Sequence, residues 1–232
     1  MSRTVVIHQP DFLPYLGFFH RFLQADVFVV LDHVQFVRNS SSAWTHRDKI
    51  KTPKGETWLS LSVKKSPLET AIKDIELSPG ASWRDQNLNL IAENYRAAPF
   101  RGSIFGEVER LYRLPVNQLA AFNLLFLDLV CGWLGIRIER VHSSALRPAG
   151  QKSEMIADLV KSLGGTHYLS GAGARAYHDQ VPFDRRGIEV VWQDFRHPVY
   201  PQQFGAFIPS LSTIDALFNC GPERTAQMLR SA

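Results

Sequence analysis

Two runs of consecutive apolar, mostly β-branched residues stand near the start of the chain: Thr4–His8 ("TVVIH") and Val27–Leu31 ("VFVVL"). Neither alternates with polar residues, the pattern of strands buried on both faces of a parallel sheet. Between them, Pro14 suits a first helical turn and Leu16–Gln24 fits a crossover helix, so the segment predicts a right-handed βαβ unit. The pattern changes to period two in "HRDKIKTPKGETWLSLSV", on both sides of the turn Pro53–Gly55. That predicts a β-hairpin at about residues 44–63, with Trp44 and Trp58 paired across it or facing the core. A weaker strand is expected at Ile72–Leu77.

A helical insertion follows at about 82–134. Ser82 is the expected N-cap of Trp83–Arg96, and Arg101–Tyr112 and Pro115–Gly132 read as two more helices. Strands are then expected at Arg137–Val141, His167–Leu169 and Ile188–Trp192. Ser153 caps a helix Glu154–Leu163 that stops at Gly164-Gly165. The tail "HPVYPQQFGAFIPSLSTIDALFNCG" has little periodicity before a helix near Thr213–Phe218. Strands alternating with helices predict an α/β fold: a mostly parallel, Rossmann-like sheet decorated by the hairpin and the helical insertion. Residues 1–232 are expected to form a single α/β domain.

Composition narrows the partners. A chain of 232 residues buries a substantial core without disulfides or metal. The net charge of +4 is scattered, densest at Lys49, Lys51, Lys54, Lys64 and Lys65. One hairpin of lysines without a stacking platform reads as a solvated face, so no nucleic-acid partner is expected, while anionic small molecules fit. Cys131 and Cys220 lie in apolar surroundings without metal-ligand spacing, which suggests free thiols in a reducing compartment and no bound metal. The opening "MSRTVVIHQP" has no signal-peptide core, and polar residues interrupt the apolar stretch Leu119–Ile136 at Asn123 and Asp128. A cytoplasmic protein without membrane insertion is therefore expected.

In an α/β sheet, ligands bind beyond the carboxyl ends of parallel strands. Here those ends carry His8–Asp11, Asp32–Arg38, His142–Ser144 and Ser170–Tyr177. A lone histidine after a strand is more often a hydrogen-bonded structural residue. Asp11 and Tyr15 nearby turn His8 towards a site, because a carboxylate orients an imidazole and raises its basicity. Asp32, beside His33 and Gln35, reads equally as a site residue or a turn former. "LSGAGARAY" offers Gly171 and Gly173 as a phosphate-facing turn with Arg175 adding charge, or simply as a packing turn. Lys152 stands where the macrodipole of the next helix repels a cation, a conflict that a bound anion or solvent exposure would remove. "DFRHPVYPQQF" places His197 and Tyr200 in a proline-stiffened segment suited to line a cavity.

The blocks "IHQPDFLPYLGFF", "ADVFVVLDHVQF", "HRDKIKTPKGETWLSLSV", "GQKSEMI", "LGGTHYLSGAGARAY", "GIEVVWQDFRHPVYPQQ" and "FIPSLSTIDALFNCG" resemble, in order and over nearly the whole chain, the WbqC-like family. These bacterial proteins are associated with O-antigen and other surface-polysaccharide gene sets. The resemblance implies acyl or aminoacyl transfer to an amino sugar. It places His8, Gln9, Pro10, Pro14 and Gly17 in one motif, Asp32 and Gln35 in a second, and Tyr168, Ser170 and Gly171 in a third. Asp11-Phe12 departs from the small polar residue and Tyr expected there. A fainter likeness, carried by strand, histidine turn and "ADVFVVLD", is to the nucleotidyltransferase and pantothenate-synthetase superfamily with its H-x-G-H pair. Gly17 is followed here by Phe18, so the second histidine is missing, and His20 points elsewhere.

Three functions remain open on these residues. The first is a transferase modifying a nucleotide-linked amino sugar from an acyl or aminoacyl donor. In it His8 or His197 is the base, Asp11 or Asp32 the orienting group, and Gln9, Tyr15, Gln35, Lys152, Tyr168, Ser170, Gly171, Gly173, Arg175 and Tyr200 the substrate contacts. The second is a nucleotidyl-transfer or adenylating enzyme of the H-x-G-H type. The third is a non-catalytic sugar-binding or assembly protein.

Overall fold

The computed structural model describes residues 2–38, 40 and 43–232. In chain order, strand β1 (Thr4–His8), helix α1 (Leu16–Phe22) and strand β2 (Val27–Val30) form the opening unit, and β3 (Arg47–Thr52) and β4 (Gly55–Ser60) the hairpin. Helices α2 (Ser82–Asn94), α3 (Arg101–Arg113) and α4 (Leu119–Leu134) make up the insertion. Then come β5 (Glu139–His142), α5 (Ser143–Leu146), α6 (Lys152–Ser162), β6 (His167–Ser170), α7 (Val181–Asp184), β7 (Glu189–Trp192) and α8 (Thr213–Arg230). Five strands form one sheet in the order β5-β2-β1-β6-β7, with every neighbour parallel.

Alternation along the central strands explains why this sheet is covered on both sides. Val5, Ile7, Val27 and Val29 point one way, onto Ala157, Leu159 and Val160 of α6 and Phe183 of α7. Val6, Phe28 and Val30 point the other way, into the larger core built with α1, α4 and α8. His8 follows Ile7 on that second side, and its ring meets Phe18 of α1 edge-on at 5.1 Å. α4 is a core helix, and among the described residues no helix is long and apolar enough to cross a membrane.

Three local expectations are corrected. Ile72–Leu77 is not a strand: Ile72–Asp74 is a 3₁₀ turn. The N–H groups of Ile72 and Lys73 go to Val34 and Asp32 and that of Leu77 to Asn117, so no one neighbour accompanies the run along its length. Neither Ser82 nor Ser153 is an N-cap; Ala81 and Gln151 hold those positions without side-chain cap bonds. Ser153 Oγ instead accepts the N–H of Asp179. The last helix runs well past Phe218, as two segments meeting at Gly221, whose φ of 77° and contact with the Phe100 ring exclude a side chain. The Trp44 and Trp58 rings do pair, 5.5 Å apart.

Candidate functional site

Because all five strands are parallel, their carboxyl ends share one edge of the sheet. Strand order reverses between β1 and β6, with β2 and β5 on one side and β7 on the other. Doubly wound sheets bind ligands in the crevice at such a reversal. The loops that open there begin at His8 and at Gly171.

The loop after β1 is tightly held. Asn123 of α4 donates to the carbonyls of Pro10 (2.7 Å) and Thr45 (2.6 Å). Phe12 N–H bonds Trp44 O, and Thr213 at the start of α8 bonds Pro14 O through both its N–H and its hydroxyl. Leu13, buried and just before Pro14, is forced to a left-handed φ of 44°, a strained conformation of the kind that collects at functional loops. Gly17 lets Tyr15 and Phe195 close in, since a Cβ there would stand 2.3 Å from the Tyr15 ring.

Within this frame His8 Nδ1 lies 3.1 Å from Gln9 O and 3.3 Å from Asp11 Oδ2. Two acceptors facing Nδ1 place the imidazole proton there and leave the lone pair on Nε2. Nε2 has no hydrogen bond among the described residues, and the side chain is 34% exposed. Burial and the nearby Arg21 lower the His8 pKa, and burial raises Asp11 to about 7 against the pull of Arg21 and Thr45. With a third of the ring open to water, the conclusion drawn for His8 is the direction: it is neutral at pH 7. The 3.3 Å approach of Nδ1 to Asp11 is thus a close contact of a neutral imidazole, not a fixed ion pair. Thr45 Oγ1 bonds Gln9 Oε1 at 2.9 Å and reaches Asp11 Oδ1 at 3.4 Å. Asp48, a second buried carboxyl, is pushed well up by burial and by the proximity of Asp11.

Arg21 completes the cluster, and sequence reasoning missed it. It is 5% exposed, its guanidinium lies 5.3 Å from the Phe18 ring centroid, and Nη1 stands 3.6 Å from where a Gly171 Cβ would be. Tyr15, Tyr168 and Asp11 are its charged or polarisable neighbours, and burial lowers its pKa. Tyr168, whose ring stacks on Phe183 of α7, and Ser170, both buried at the end of β6, share one hydrogen bond of 3.5 Å. A signal was present: all seven residues of α1 are buried, so its cation had no solvent face to occupy.

Asp32 sits at the neighbouring strand end but faces β5. Its carboxylate accepts His142 Nδ1 (2.7 Å), Ser143 Oγ (3.1 Å) and the N–H and hydroxyl of Ser144 (both 3.0 Å). Burial raises its pKa, and these bonds outweigh burial to leave it lowered. The other expected residues scatter. Gln35 donates to Leu68 O. Lys152, exposed and at a φ of 51°, makes no hydrogen bond or ion pair among the described residues, so solvent removes its conflict with the helix. Gly173 is exposed, and Arg175 lies over Trp192. Tyr200 donates to buried Asp215. His197 bonds Pro198 O and packs among Phe195, Tyr200 and Phe207. No hydrogen bond, ion pair or ring contact joins the His8 side chain to Asp32 or His197 among the described residues.

A separate cavity of about 530 Å³ lies between α4 and the start of β5, floored by Phe22, Phe28 and Leu127. Its charged lining is Asp128 and Arg140, paired at 2.7 Å, and Arg137. Among the described residues no group of three or more His, Cys, Asp or Glu is placed to hold a metal ion.

A Rossmann-like parallel sheet with polar side chains, His8 among them, at its strand reversal places the chain among the α/β proteins. Within that class the chain belongs to the WbqC-like protein family, whose model matches residues 9–227. It is also 30% identical over 224 residues to the uncharacterized protein Rv1507c of Mycobacterium tuberculosis, covering 95% of each chain. No solved structure matches it.

Proposed function

We propose that this protein is a cytoplasmic transferase that moves an acyl or aminoacyl group onto the nitrogen of a nucleotide-linked amino sugar, for O-antigen or another surface polysaccharide. One observation carries the reading: a neutral His8, tethered through Nδ1 to Gln9 O and Asp11, with Nε2 free at the β1/β6 crevice. The sugar amine attacks the donor carbonyl, forming the C–N bond. His8 Nε2 takes the nitrogen proton as the tetrahedral adduct collapses, and the donor's leaving group departs with its bonding pair. A lowered histidine pKa makes His8 a weak base towards a free ammonium, but the N–H of that adduct is far more acidic. Asp11 orients the ring and, with a pKa near 7, passes the proton onward.

The two other readings find less support. Nucleotidyl transfer of the H-x-G-H type needs a second histidine, and His20 is engaged by Gln193 and Gln24. A sugar-stacking surface would fall to the exposed Trp58, Phe100, Tyr177 and Phe204, because Phe12, Phe18, Phe19, Phe28, Phe122 and Phe126 are core. The test is a thermal-shift screen against sugar nucleotides, ATP and acyl-CoA, followed by mass spectrometry of the amino sugar that stabilises the protein. A mass increase of one acyl or aminoacyl group that His8→Ala abolishes supports the reading. Stabilisation by ATP alone overturns it.

A further inference from the structure

Among the described residues two Lys or Arg side chains are buried, Lys51 and Arg21, and only one of them is satisfied. Lys51 is 1% exposed and donates to Gln202 Oε1 and the carbonyls of Gly205 and Ala206. Arg21 is as deeply placed, yet its guanidinium makes no hydrogen bond and no ion pair among the described residues, and its Nε is wholly enclosed without a partner. An unpaired buried guanidinium is costly, and such charges are rarely retained without a counter-charge. The nearest acid, Asp11, makes no ion pair with it, and burial keeps that carboxyl partly protonated near neutral pH.

A second observation points to the same place. Tyr168 and Ser170 carry two hydroxyl protons and share one long bond of 3.5 Å. One of those protons therefore has no acceptor, although both residues are buried. Ser170 ends β6 and precedes Gly171, beside which Arg21 Nη1 stands, so these donors without an acceptor lie at the same end of β6.

We propose that Arg21 is the anion anchor of this crevice and that its ligand is a phosphate group, the diphosphate of the sugar nucleotide. The planar guanidinium takes two phosphate oxygens at once, and the Tyr168–Ser170 pair donates its spare proton to a third. The strand reversal is where doubly wound sheets seat phosphates, and glycine at 171 leaves the approach to Nη1 open. This assignment rests on the transferase reading for the identity of the ligand, and it replaces Lys152 and Arg175 as the residues that meet the phosphate.

The test is calorimetric titration of the full chain with inorganic pyrophosphate and, separately, with acetate, alongside melting of the unliganded protein. Arg21→Met should weaken pyrophosphate binding about 10- to 100-fold. It should also raise the unliganded melting temperature by about 2 °C or more, because it removes an uncompensated buried charge. Unchanged pyrophosphate affinity in Arg21→Met overturns the anchor whatever the melting temperature. Acetate binding in place of pyrophosphate overturns the phosphate. If Arg21→Met does not fold, Arg21→Lys decides: it keeps a charge but loses the fork, and affinity should still fall about 10-fold. The titration involves no transfer step. The anchor therefore stands or falls separately from the reaction, which His8→Ala tests.

Discussion

The protein places two histidine–aspartate pairs at neighbouring ends of one sheet, and they have opposite characters. His142 and Asp32 meet at 2.7 Å, His8 and Asp11 at 3.3 Å. Asp32 accepts bonds from three residues, has its pKa lowered, and clasps the end of β2 to β5 and α5. Asp11 has His8 and one long contact from Thr45, and burial raises it to about 7. The same two side chains thus become a clamp where donors saturate the carboxylate, and a proton-holding pair where they do not. Environment divides titratable groups between structure and chemistry in this way.

Breaking each pair in turn should show the difference. The largest effect expected is on transfer. His8→Ala should lower it by about 10²–10⁴-fold while melting stays within a few degrees, because the ring is partly exposed; full transfer by the variant would end its assignment as base. Asp11→Asn tests the raised carboxyl through pH. A folded pKa of about 7 lies above an unfolded value near 4, so the stability due to the protonated acid is complete below about pH 4 and is lost as pH rises towards 7. Asn remains neutral throughout. The variant should gain on the wild type across that window by an amount approaching ~4 kcal/mol, measured by denaturant titration at several pH values; a flat difference refutes the raised pKa.

Asp32→Ala should cost about 3 kcal/mol, roughly 6–12 °C of melting temperature, because four donors lose their acceptor. Its stability loss should fade as pH falls from about 4, where the unfolded chain takes up the Asp32 proton first, through the lowered pKa of the folded carboxylate, the opposite pH direction to Asp11. A variant that melts like the wild type would mean that Asp32 is no clamp. The smallest effect belongs to the exposed cations: Lys152→Ala and Arg175→Ala should each change stability by less than about 0.5 kcal/mol. They should leave binding of sugar nucleotides unaltered, and a tenfold loss of affinity in either would return the phosphate to the α6 and Gly171–Gly173 side.

The central strands were legible because β1 and β2 are continuous β-branched runs, and the hairpin because Pro53–Gly55 interrupts an alternating pattern. His8 at a strand end was legible for the same reason. The character of Asp32 was not, since its donors Ser143 and Ser144 stand 111 and 112 residues away and meet it only through the pairing of β2 with β5. Arg21 was hidden inside an aromatic helix that reads as packing. Asn123 was noticed only as a polar break in an apolar run, yet that break is the side chain that fastens the His8 loop to α4. In both cases the informative sign was a polar residue with no polar face to occupy.

The bond from Thr213 to Pro14 spans 199 residues, and β1 lies beside β6, made more than 150 residues later. The loop after β1 therefore takes its hold on Pro14 from a helix almost two hundred residues further along the chain. Pairings this distant in sequence form slowly. The loop that bears His8 is thus completed only when α8 is in place, which ties the shape of the site to completion of the fold.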